Sequence, residues 1–490
     1  MTKTLSNKLQ AVVLAAGKSS RFKTGNTKLV EKICGKEMIL FPTNLLWQMG
    51  IESIFVVGYQ KEIIEKIVSE NKKSSDYTVN FVHQKEQLGT GHAVACTKDL
   101  WDKDHILILN GDVPLVTNET IESLYKRHIE SNAAISFVVS HYIGTDHAYG
   151  RVIQDEKSIR IVEAKDFNET VYDSKCCINA GIYIAKTKFL QDCINNITTQ
   201  NAAQEFYLTS LVEMAYEKKL KVVTSYAPFD QIRGVNNFEE LWAVEQIKRS
   251  ELIKHWMHNG VRFDLAQKIH LDVDVQIDTG STIGSGVHLL GNTKIGKNCH
   301  VRKFSTIENS TLEQDVEILP NTIIRDSYIC KNAKIGPFAH VRNNSTIEQN
   351  AVIGNFVEVK KTTVGKNSSA KHLSYLGDTV IGKQVNIGAG VIICNYDGFK
   401  KHPTIIKDNA YIGSNNTIIA PVNIGKNTFT AAGSTITQDI PDNSFAIARA
   451  KQINKENYVK KLLDKLQARS KQINNKVIPQ TNSEQSQKEL

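Results

Sequence analysis

The chain has 490 residues and a mass of 54.8 kDa, which predicts two or three domains rather than one core. Hydrophobic residues make up 41% and charged residues 23%, with 29 glycines and nine prolines, which excludes a collagen-like or largely disordered chain. The early apolar run at residues 11–16 is too short to span a bilayer or to form the core of a leader peptide. We therefore expect a cytoplasmic protein without stable membrane insertion.

Charge and cysteine content restrict the partners. Lys and Arg outnumber Asp and Glu by 60 to 51, but residues 451–490 alone hold nine bases and four acids. The small remaining excess does not favour a nucleic-acid partner, and anionic small substrates fit such a chain equally well. Eight cysteines without C-x-x-C spacing predict reduced thiols rather than a disulfide framework.

Short apolar runs alternate with helical spacing up to about residue 227. Helical spacing such as that of Ile63, Ile64 and Ile67 separates several of these runs. The runs predicted as strands are residues 11–16, 54–57, 79–82, 106–109, 135–139, 182–185 and 222–226. This alternation predicts a Rossmann-like α/β domain with a largely parallel sheet, whose ligands lie at the carboxyl ends of the strands.

A single long helix is predicted next, in residues 236–259. Charged residues fill the positions between its apolar ones, and Gly260 ends it. The apolar positions near helical spacing are Leu241, Val244, Ile247, Leu252 and Trp256. We interpret this segment as a connection between two domains.

A six-residue repeat of aliphatic residues begins after this helix. Its positions are Leu271, Ile277, Ile283, Leu289, Ile295, Val301 and Ile307, then Leu312, Ile318 and Ile324, then Ile329, Ile335, Val341, Ile347, Ile353 and Val359, then Ile381, Ile387 and Ile393, and finally Ile406, Ile412, Ile418 and Ile424. This period predicts short parallel strands wound into a solenoid, each contributing one inward aliphatic side chain. Glycine often follows the aliphatic residue, and we expect it to turn the corners through positive φ.

Two departures from the repeat are candidates for function. Residues 394–403 are predicted to leave the coil as a loop, and residues 370–378 are expected to interrupt the count. The domain prediction is 1–235, a linking helix at 236–260, a β-helix at 261–450, and a basic tail at 451–490. In that tail we predict a short helix containing Tyr458 and Leu466 and disorder beyond it.

Two strand ends carry the first set of candidate residues. The turn at residues 14–17 is followed by Arg21 and Lys28, and glycine there can aim N–H groups at phosphate oxygens while the cations add charge. A second strand ends in Gly111-Asp112, where a carboxylate can hold a divalent cation. Each feature alone is also an ordinary turn, and the P-loop pattern is absent.

Together these segments resemble the sugar-nucleotide pyrophosphorylases. With the repeat included, residues 11–449 resemble the bacterial bifunctional enzymes that acetylate glucosamine-1-phosphate and then uridylylate the product to UDP-N-acetylglucosamine. The matching pieces are Leu14-Ala15-Ala16-Gly17, Lys28, Gln84, Gln87-Leu88-Gly89-Thr90-Gly91-His92-Ala93, Gly111-Asp112-Val113-Pro114, Tyr149-Gly150-Arg151, Val162-Glu163-Ala164-Lys165-Asp166, Asn179-Ala180-Gly181 and Gly234-Val235-Asn236-Asn237. The resemblance implies a left-handed β-helix, a homotrimer, Mg²⁺, and UTP and acetyl-CoA as co-substrates, in the supply of peptidoglycan and lipopolysaccharide precursors.

The resemblance also implies roles for residues of the first domain. Asp112 and Asn236 would bind Mg²⁺, and we assign Arg21 and Lys28 the cationic role as a sugar phosphate oxygen displaces pyrophosphate from UTP. The residues implied to bind UTP or the UDP-sugar are Leu14, Ala15, Ala16, Gly17, Lys28, Gln84, Gly89, Thr90, Asn110, Gly111, Asp112, Gly150, Glu163, Asn179 and Asn236. The sequence departs from the usual family residues at Ser19-Ser20, Asn26-Thr27 and Asn110, which bears on geometry and rate.

The second candidate site centres on His372. Acetyl transfer to an amine needs a base near neutrality, and imidazole fits that need, although a lone histidine on a solenoid is more often structural. By the resemblance His372 would deprotonate the amine, which attacks acetyl-CoA directly. The residues implied to bind the acetyl acceptor are Arg342, Lys360, Tyr375, Asn386, Asn395, Tyr396 and Lys401. Those implied to bind acetyl-CoA are Ala389, Ser414, Ala432 and Arg449.

Three alternatives remain at this stage. The chain could be a monofunctional nucleotidyltransferase whose β-helix only assembles subunits, although His372 and Tyr375 would then have no use. It could be a non-catalytic scaffold of the same two domain types, although Lys28, Asp112 and Asn236 are all present. Within the enzyme interpretation, Cys394 could form an acetyl thioester and give ping-pong kinetics.

Overall fold

The computed structural model describes residues 7–18, 22–23, 25–72, 74, 78–141, 149–154, 159–167 and 177–477. The first domain contains a nine-stranded sheet in the order β11-β7-β10-β6-β1-β4-β5, with β8 and β9 attached beside β10 and a separate small hairpin of β2 and β3. These strands are β1 (Leu9–Ala15), β2 (Lys32–Ile33), β3 (Lys36–Glu37), β4 (Glu52–Val57), β5 (Val79–His83), β6 (His105–Asn110), β7 (Ile135–Ser140), β8 (Arg151–Gln154), β9 (Ile159–Val162), β10 (Ile178–Lys186) and β11 (Val222–Tyr226).

Helices cover both faces of this sheet, and two apolar cores result, one on each face. The α-helices are Leu40–Gln48, Lys61–Glu70, Thr90–Ala95, Asn118–Glu130, Thr187–Cys193, Ser210–Glu217, Phe229–Ile232, Phe238–His258 and, after the second domain, Tyr458–Val477. The 3₁₀ turns that lie wholly within the described residues are Lys28–Val30, Lys98–Leu100, Ile194–Asn196 and Ala266–Lys268. A largely parallel sheet covered on both faces is the predicted Rossmann-like arrangement.

All seven predicted strands of this domain are present, with ends shifted by a few residues. The pairing departs from the prediction at β10, which runs antiparallel to both β6 and β7. The hairpin of β8 and β9 was not predicted, because its short segments are only partly buried and carry no continuous apolar run.

The linking helix, Phe238–His258, begins and ends where the sequence indicates. The Asn237 side chain accepts a hydrogen bond from the Glu240 N–H and caps the start, while Gly260 with φ +81° follows the end. Leu241 and Val244 pack into the first domain, and Ile253 packs into the second. The helix therefore joins two cores, which explains why its buried positions do not follow one simple stripe.

The second domain is a left-handed parallel β-helix of hexapeptide repeats with three faces. Face 1 contains Arg262–Phe263, Thr282–Ile283, His300–Val301, Glu317–Ile318, Lys334–Ile335, Val352–Asn355, Ser369–His372, Asn386–Ile387, Tyr411–Ile412, Phe429–Thr430 and Phe445–Ala446. Face 2 contains His270–Leu271, His288–Leu290, Thr306–Glu308, Ile323–Arg325, His340–Arg342, Glu358–Lys360, Tyr375–Gly377, Ile392–Cys394, Thr417–Ile419 and Thr435–Ile436. Face 3 contains Gln276–Ile277, Lys294–Ile295, Thr311–Leu312, Tyr328–Ile329, Thr346–Ile347, Thr363–Val364, Thr379–Ile381, Thr404–Ile406 and Val422–Ile424.

Every aliphatic residue named in the six-residue repeat is buried in one continuous core along the coil axis. The expectation that residues 370–378 interrupt the repeat is wrong. Ala370 and Leu376 occupy the inward positions there and are both fully buried. The small Ala370 side chain hid the register in the sequence. The loop at residues 394–403 does leave the coil, between Ile392–Cys394 and Thr404–Ile406.

Most glycines after the inward residues do not act as expected. Gly336 has the expected positive φ, at +98°, but Gly284, Gly354, Gly382 and Gly413 do not. A Cβ at Gly354 would instead lie 2.0 Å from the Lys371 carbonyl oxygen of the next coil. Close stacking of the coils therefore requires glycine at these positions. The positive φ angles fall largely on asparagines, such as Asn298, which tolerate that conformation.

The tail forms a longer helix than predicted, because Tyr458–Val477 continues past Leu466 as a 20-residue element. The expected disorder beyond Val477 falls on residues outside the described part. In the described part of the chain no helix is both long and apolar enough to cross a membrane. The seven cysteines described are all free thiols.

Candidate active sites

The first site lies where β1 and β6 end side by side. The Gly111 N–H donates to the Leu14 carbonyl oxygen at 2.9 Å, which fixes the turn after β6 against the turn after β1. Asp112 follows directly, and its carbonyl oxygen accepts a hydrogen bond from the Val235 N–H at 3.0 Å. Three distant parts of the sequence therefore meet at the carboxyl edge of the sheet.

An ionic cluster stands at this edge. The Lys28 Nζ lies 2.5 Å from Asp112 Oδ2 and donates to Asn236 Oδ1 at 3.0 Å. Asn236 is itself held by a hydrogen bond from its N–H to the Glu240 carboxylate on the linking helix. The side-chain oxygens of Asp112 and Asn236 thus face one position, which the Lys28 ammonium occupies.

The donor set fits Mg²⁺. A carboxylate and an amide oxygen are the ligands that a small hard cation prefers, and Mg²⁺ keeps several waters and needs few protein ligands. Among the described residues no group of three or more His, Cys, Asp and Glu could hold a metal, which such a sparse site does not require. The oxygens of Asp112 and Asn236 already converge on the Lys28 ammonium, so they can converge on another cation.

A cavity of about 390 Å³ opens on one side of this cluster, between the residue 14–17 turn and the start of the helix Thr90–Ala95. Gln84 is buried at its wall, where its side chain donates to the Gly89 carbonyl oxygen at 3.2 Å. Gln87 donates to the Ala16 carbonyl oxygen at 2.6 Å and ties the two walls together. A Cβ at Gly17 would meet nothing within 4 Å, so the floor beside the turn is open.

A second cavity of about 200 Å³ shares Leu14, Thr90, Asn110 and Asp112 with the first and extends toward β10. The Thr209 hydroxyl donates to a Glu163 carboxylate oxygen at 2.9 Å. Burial raises the pKa of Glu163, and the Thr209 hydrogen bond opposes that rise.

Asn179 holds another wall of this second cavity. Its amide donates to the Tyr183 hydroxyl at 2.6 Å, and its N–H donates to the Gly150 carbonyl oxygen at 2.9 Å. Polar groups therefore line a small volume next to the cation position.

The structure brings the predicted residues of this domain together. Two exceptions are Gly111, which is buried beneath the cavities, and Arg21, which lies outside the described residues, as do Ser19 and Ser20. The predicted residues that line one or both cavities are Leu14, Ala15, Ala16, Gly17, Lys28, Gln84, Gly89, Thr90, Asn110, Asp112, Gly150, Glu163, Asn179 and Asn236.

Sequence reasoning missed two side chains at this site. Thr209 belongs to no motif and gave no signal. Tyr149 stands beside Gly150 in a recognised segment but received no role. Its hydroxyl oxygen accepts a hydrogen bond from the Gly234 N–H at 3.1 Å, and burial raises the pKa of Tyr149 to about 12.

The second set of residues forms a column at the corner between faces 1 and 2. The His372 carbonyl oxygen accepts from the Gly390 N–H at 3.3 Å, the Ala389 oxygen from the Asn415 N–H at 2.7 Å, and the Ser414 oxygen from the Gly433 N–H at 2.8 Å. The Arg449 guanidinium donates to the Ala432 carbonyl oxygen at 2.8 Å. His372 and the four predicted acetyl-CoA residues therefore stack along one edge, over about 19 Å for four coil steps.

His372 and Arg449 mark the two ends of this column, and both side chains are exposed. Within the residues that the structure describes, no side chain bonds to the His372 ring. The imidazole is therefore accessible to a substrate.

The corner between faces 2 and 3 collects positive charge. Arg342 and Lys360 are register partners on successive coils. The Lys360 ammonium, by contact and by like-charge repulsion, lowers the pKa of Lys401 on the loop. Arg342 is anchored by Glu358, with its Nε 3.0 Å from the Glu358 carboxylate. Two facing ammonium groups favour an anion between them.

Side chains beside this corner hold the loop in place. The Asn395 amide donates to Asp378 Oδ2 at 2.6 Å. Tyr396 pairs with Lys401 across the loop. A Cβ at Gly377 would lie 2.5 Å from the Tyr375 hydroxyl and 2.8 Å from the Asn395 amide, so only glycine leaves room for both. Glu358, Gly377 and Asp378 act here as supports, a role that the sequence pattern did not predict.

Within one chain these predicted residues do not form a single pocket. Arg342, Lys360 and Lys401 stand at the face 2–3 corner, whereas His372 stands at the face 1–2 corner and Asn386 on face 1. The width of face 2 separates the corners, roughly 16 Å for the five residue steps from His372 to Gly377. That width exceeds one sugar phosphate.

Known protein families match segments in both halves of the chain. Residues 11–153 match the MobA-like NTP transferase domain family, residues 271–345 the GMPPB C-terminal domain, and residues 403–438 six repeats of the bacterial transferase hexapeptide. The bifunctional protein GlmU of Thermosipho africanus is 39% identical over 91% of this chain and 96% of its own length. Those of Thermosipho melanesiensis and Clostridium botulinum strain 657 are 41% and 38% identical over 92% of this chain and 97% and 98% of their lengths. The chain belongs to the GlmU family.

Membership in the GlmU family decides two of the three alternatives that the sequence left open. GlmU proteins are named as bifunctional, and the matched domains are of the nucleotidyltransferase and hexapeptide acyltransferase types. The chain is therefore a bifunctional transferase, and neither a monofunctional nucleotidyltransferase nor a non-catalytic scaffold.

Proposed function

We propose that the chain makes UDP-N-acetylglucosamine in two steps at two separate sites. The β-helix acetylates glucosamine-1-phosphate from acetyl-CoA, and the first domain transfers a uridylyl group from UTP to the product. The observation that carries this proposal is that the predicted uridylyl-transfer residues line two adjoining cavities of the first domain, while the predicted acetyl-transfer residues lie at two corners of the β-helix, in a chain of the GlmU family. We propose the division of the chain at residues 235, 260 and 450 on the same basis.

For uridylyl transfer, the turn at residues 14–17, Gln84, Gly89 and Thr90 would hold the nucleotide in the larger cavity. Glu163 and Asn179 would bind the sugar in the smaller one. An oxygen of the sugar phosphate then attacks the α-phosphorus of UTP as the bond to pyrophosphate breaks. Fixed positive charge at the shared edge of the cavities stabilises the charge that develops in this displacement.

Lys28 supplies part of that charge, and Arg21 is proposed to add to it. Asp112 and Asn236 would hold Mg²⁺, which when bound draws the phosphate oxygens together and offsets their charge. Lys28 would then leave Asp112 for the phosphates, since both cations compete for the same carboxylate.

For acetyl transfer, His372 would accept the proton of the acceptor amine. The nitrogen lone pair then attacks the thioester carbonyl, and the coenzyme A thiolate leaves and takes up a proton. The corner column from Ala389 to Arg449 would hold acetyl-CoA, where small side chains let the pantetheine arm lie close. Arg342, Lys360 and Lys401 would bind the sugar phosphate, with Tyr375, Asn386, Asn395 and Tyr396 orienting the acceptor.

A homotrimer in the cytoplasm is part of this proposal. The separation of His372 from the Lys360 corner supports a pocket shared between copies. Phe338, Phe356 and Leu373 support it further, because they form an exposed apolar column beside His372, and the Phe338 and Phe356 rings stack at 5.3 Å. The product would serve peptidoglycan and lipopolysaccharide synthesis.

The experiment is an omission series on the purified chain with glucosamine-1-phosphate, acetyl-CoA, UTP and Mg²⁺, read by mass spectrometry of products. We expect UDP-N-acetylglucosamine only from the complete mixture, and N-acetylglucosamine-1-phosphate when UTP is left out. An initial-rate pattern of intersecting lines would exclude the acetyl-Cys394 route, which requires parallel lines. Formation of UDP-glucosamine without acetyl-CoA at an equal rate would contradict the proposed order.

A further inference from the structure

The C-terminal helix, Tyr458–Val477, has an apolar face that no other described part of the chain covers. Spacings of three and four residues place the larger side chains of this face on one stripe of about 100°. They are Val459, Leu462, Leu463, Leu466 and Ile473, between 44% and 69% exposed. Every residue from 447 to 473 is exposed, so neither domain, as far as the structure describes it, packs on the helix.

The flanks of this face are basic. Residues 460–471 contain a single acidic residue, Asp464. Five bases stand in the same stretch, at Lys460, Lys461, Lys465, Arg469 and Lys471. At 100° per residue, Lys460 and Arg469 border the apolar stripe on opposite sides. An uncovered apolar stripe between basic flanks is typical of helices that lie in a membrane interface.

We propose that this helix docks the protein on an anionic membrane surface. The apolar stripe would enter the boundary between headgroups and acyl chains, while the bases pair with anionic headgroups. The helix is about 30 Å long at 1.5 Å per residue, and its charges restrict it to lying on the surface. Residues 450–457 form an eight-residue connection with an extended reach of about 26 Å, so the two active sites can stay in water.

The charge distribution favours a bilayer over a second copy of the helix. In a bundle of identical helices, Lys465 and Arg469 of each copy would approach their counterparts, with only Asp464 to offset them. A nucleic acid would pair with the bases but leave the leucines in water. An anionic bilayer satisfies the apolar stripe and the basic flanks together.

The test is co-sedimentation of the full-length chain with vesicles of equal parts phosphatidylcholine and phosphatidylglycerol, against vesicles of phosphatidylcholine alone. We expect binding to the anionic vesicles that weakens as ionic strength rises. Leu463→Asp should weaken it about tenfold or more, whereas Leu463→Met, the matched control, should keep it. Lys460→Glu with Arg469→Glu, the two bases that border the stripe, should weaken it at least tenfold, since each base contributes a factor of ~5.

Lys297→Glu with Lys331→Glu, two exposed β-helix positions, makes the same change of charge and should leave vesicle binding unchanged. All variants should keep both transfer rates in solution. Absence of wild-type binding would overturn the proposal. The proposal would also be overturned if the charge variant weakened binding to vesicles or to duplex DNA while Leu463→Asp did not. That pattern would show electrostatic adsorption alone. A change of subunit number in Leu463→Asp, seen by sedimentation velocity, would assign the stripe to contacts between copies instead.

Discussion

Gly17 lies in a turn whose geometry does not itself require glycine. A Cβ there would meet nothing within 4 Å, so Gly17→Ala should change the free energy of unfolding by no more than about 0.5 kcal/mol. The methyl group would stand where the proposed nucleotide approaches the backbone, so KM for UTP should rise about tenfold or more. Uridylyl transfer kinetics and urea unfolding measure the two effects.

Gly58→Ala serves as the contrast to this variant. Its Cβ would lie 2.8 Å from the Ala16 carbonyl oxygen, so this variant should lose stability. Equal UTP kinetics in Gly17→Ala and the wild type would remove the turn from the nucleotide site.

Thr209 should matter for the sugar although no motif contains it. Thr209→Val removes the hydroxyl that donates to Glu163, so the pKa of Glu163 should rise further and kcat/KM for N-acetylglucosamine-1-phosphate should fall about tenfold. The loss should be larger below neutrality than above it, because more of the carboxyl group is then protonated. Thr209→Ser should restore the wild-type value, and an equal loss in both variants would assign Thr209 to packing alone.

Single residues show where sequence reasoning reaches its limit. Asp112 and Lys28 could be named because they stand in segments with a recognisable order. Thr209 reaches the site from the loop before the helix Ser210–Glu217, and only the fold places it against Glu163. Glu358 and Gly377 likewise act through coils that are far apart in sequence.

At the scale of elements, the helix Asn118–Glu130 packs on the sheet through a buried histidine pair. The rings of His128 and His105 meet at 3.1 Å, and His128 also bonds to the Ser136 hydroxyl at 2.8 Å. Burial, then repulsion from His105 and Lys186, lowers the pKa of His128 to about 3. Burial also lowers the pKa of His105.

Stability of this domain should therefore fall in mild acid. The unfolded pKa of histidine is about 6.5, so the unfolded chain takes up a proton that folded His128 does not. The contribution is fully present above that pH and decreases as pH falls toward the folded value, with a loss of about 1.4 kcal/mol near pH 5.5. Urea unfolding across this range should show a shallower pH dependence in His128→Gln. The exposed His83→Gln should keep the wild-type dependence, and identical slopes in all three proteins would contradict the assignment.

The strands of the β-helix and the strands of the first domain differ in how far the sequence specifies them. The six-residue period located most of the inward aliphatic residues, because one buried position per strand leaves a regular pattern, but it missed Val364, Ala370 and Leu376. The corners were mostly misread, because the glycine after the aliphatic residue is required by the close approach of the next coil, and only Gly336 of the five glycines named above has positive φ. The antiparallel β10 was also missed, since a continuous apolar run such as residues 182–185 does not record strand direction.

For the whole molecule, the linking helix joins two cores that carry separate chemistry. Leu241 and Val244 belong to one core and Ile253 to the other, so the helix fixes the domains to each other without linking their sites. Domain order followed from the change of period at about residue 260. The placement of His372 and Lys360 at different corners of successive coils could not be predicted from the sequence, because the path of the chain around the corners decides it.

Two independent sites in one chain can be tested directly by measuring both transfers on the same preparations of Asp112→Asn and His372→Ala. We predict that Asp112→Asn loses uridylyl transfer by about a hundredfold or more and keeps acetyl transfer. His372→Ala should lose acetyl transfer by about 10²- to 10⁴-fold and keep uridylyl transfer. Loss of both activities in either variant, with the fold intact by circular dichroism, would contradict the account.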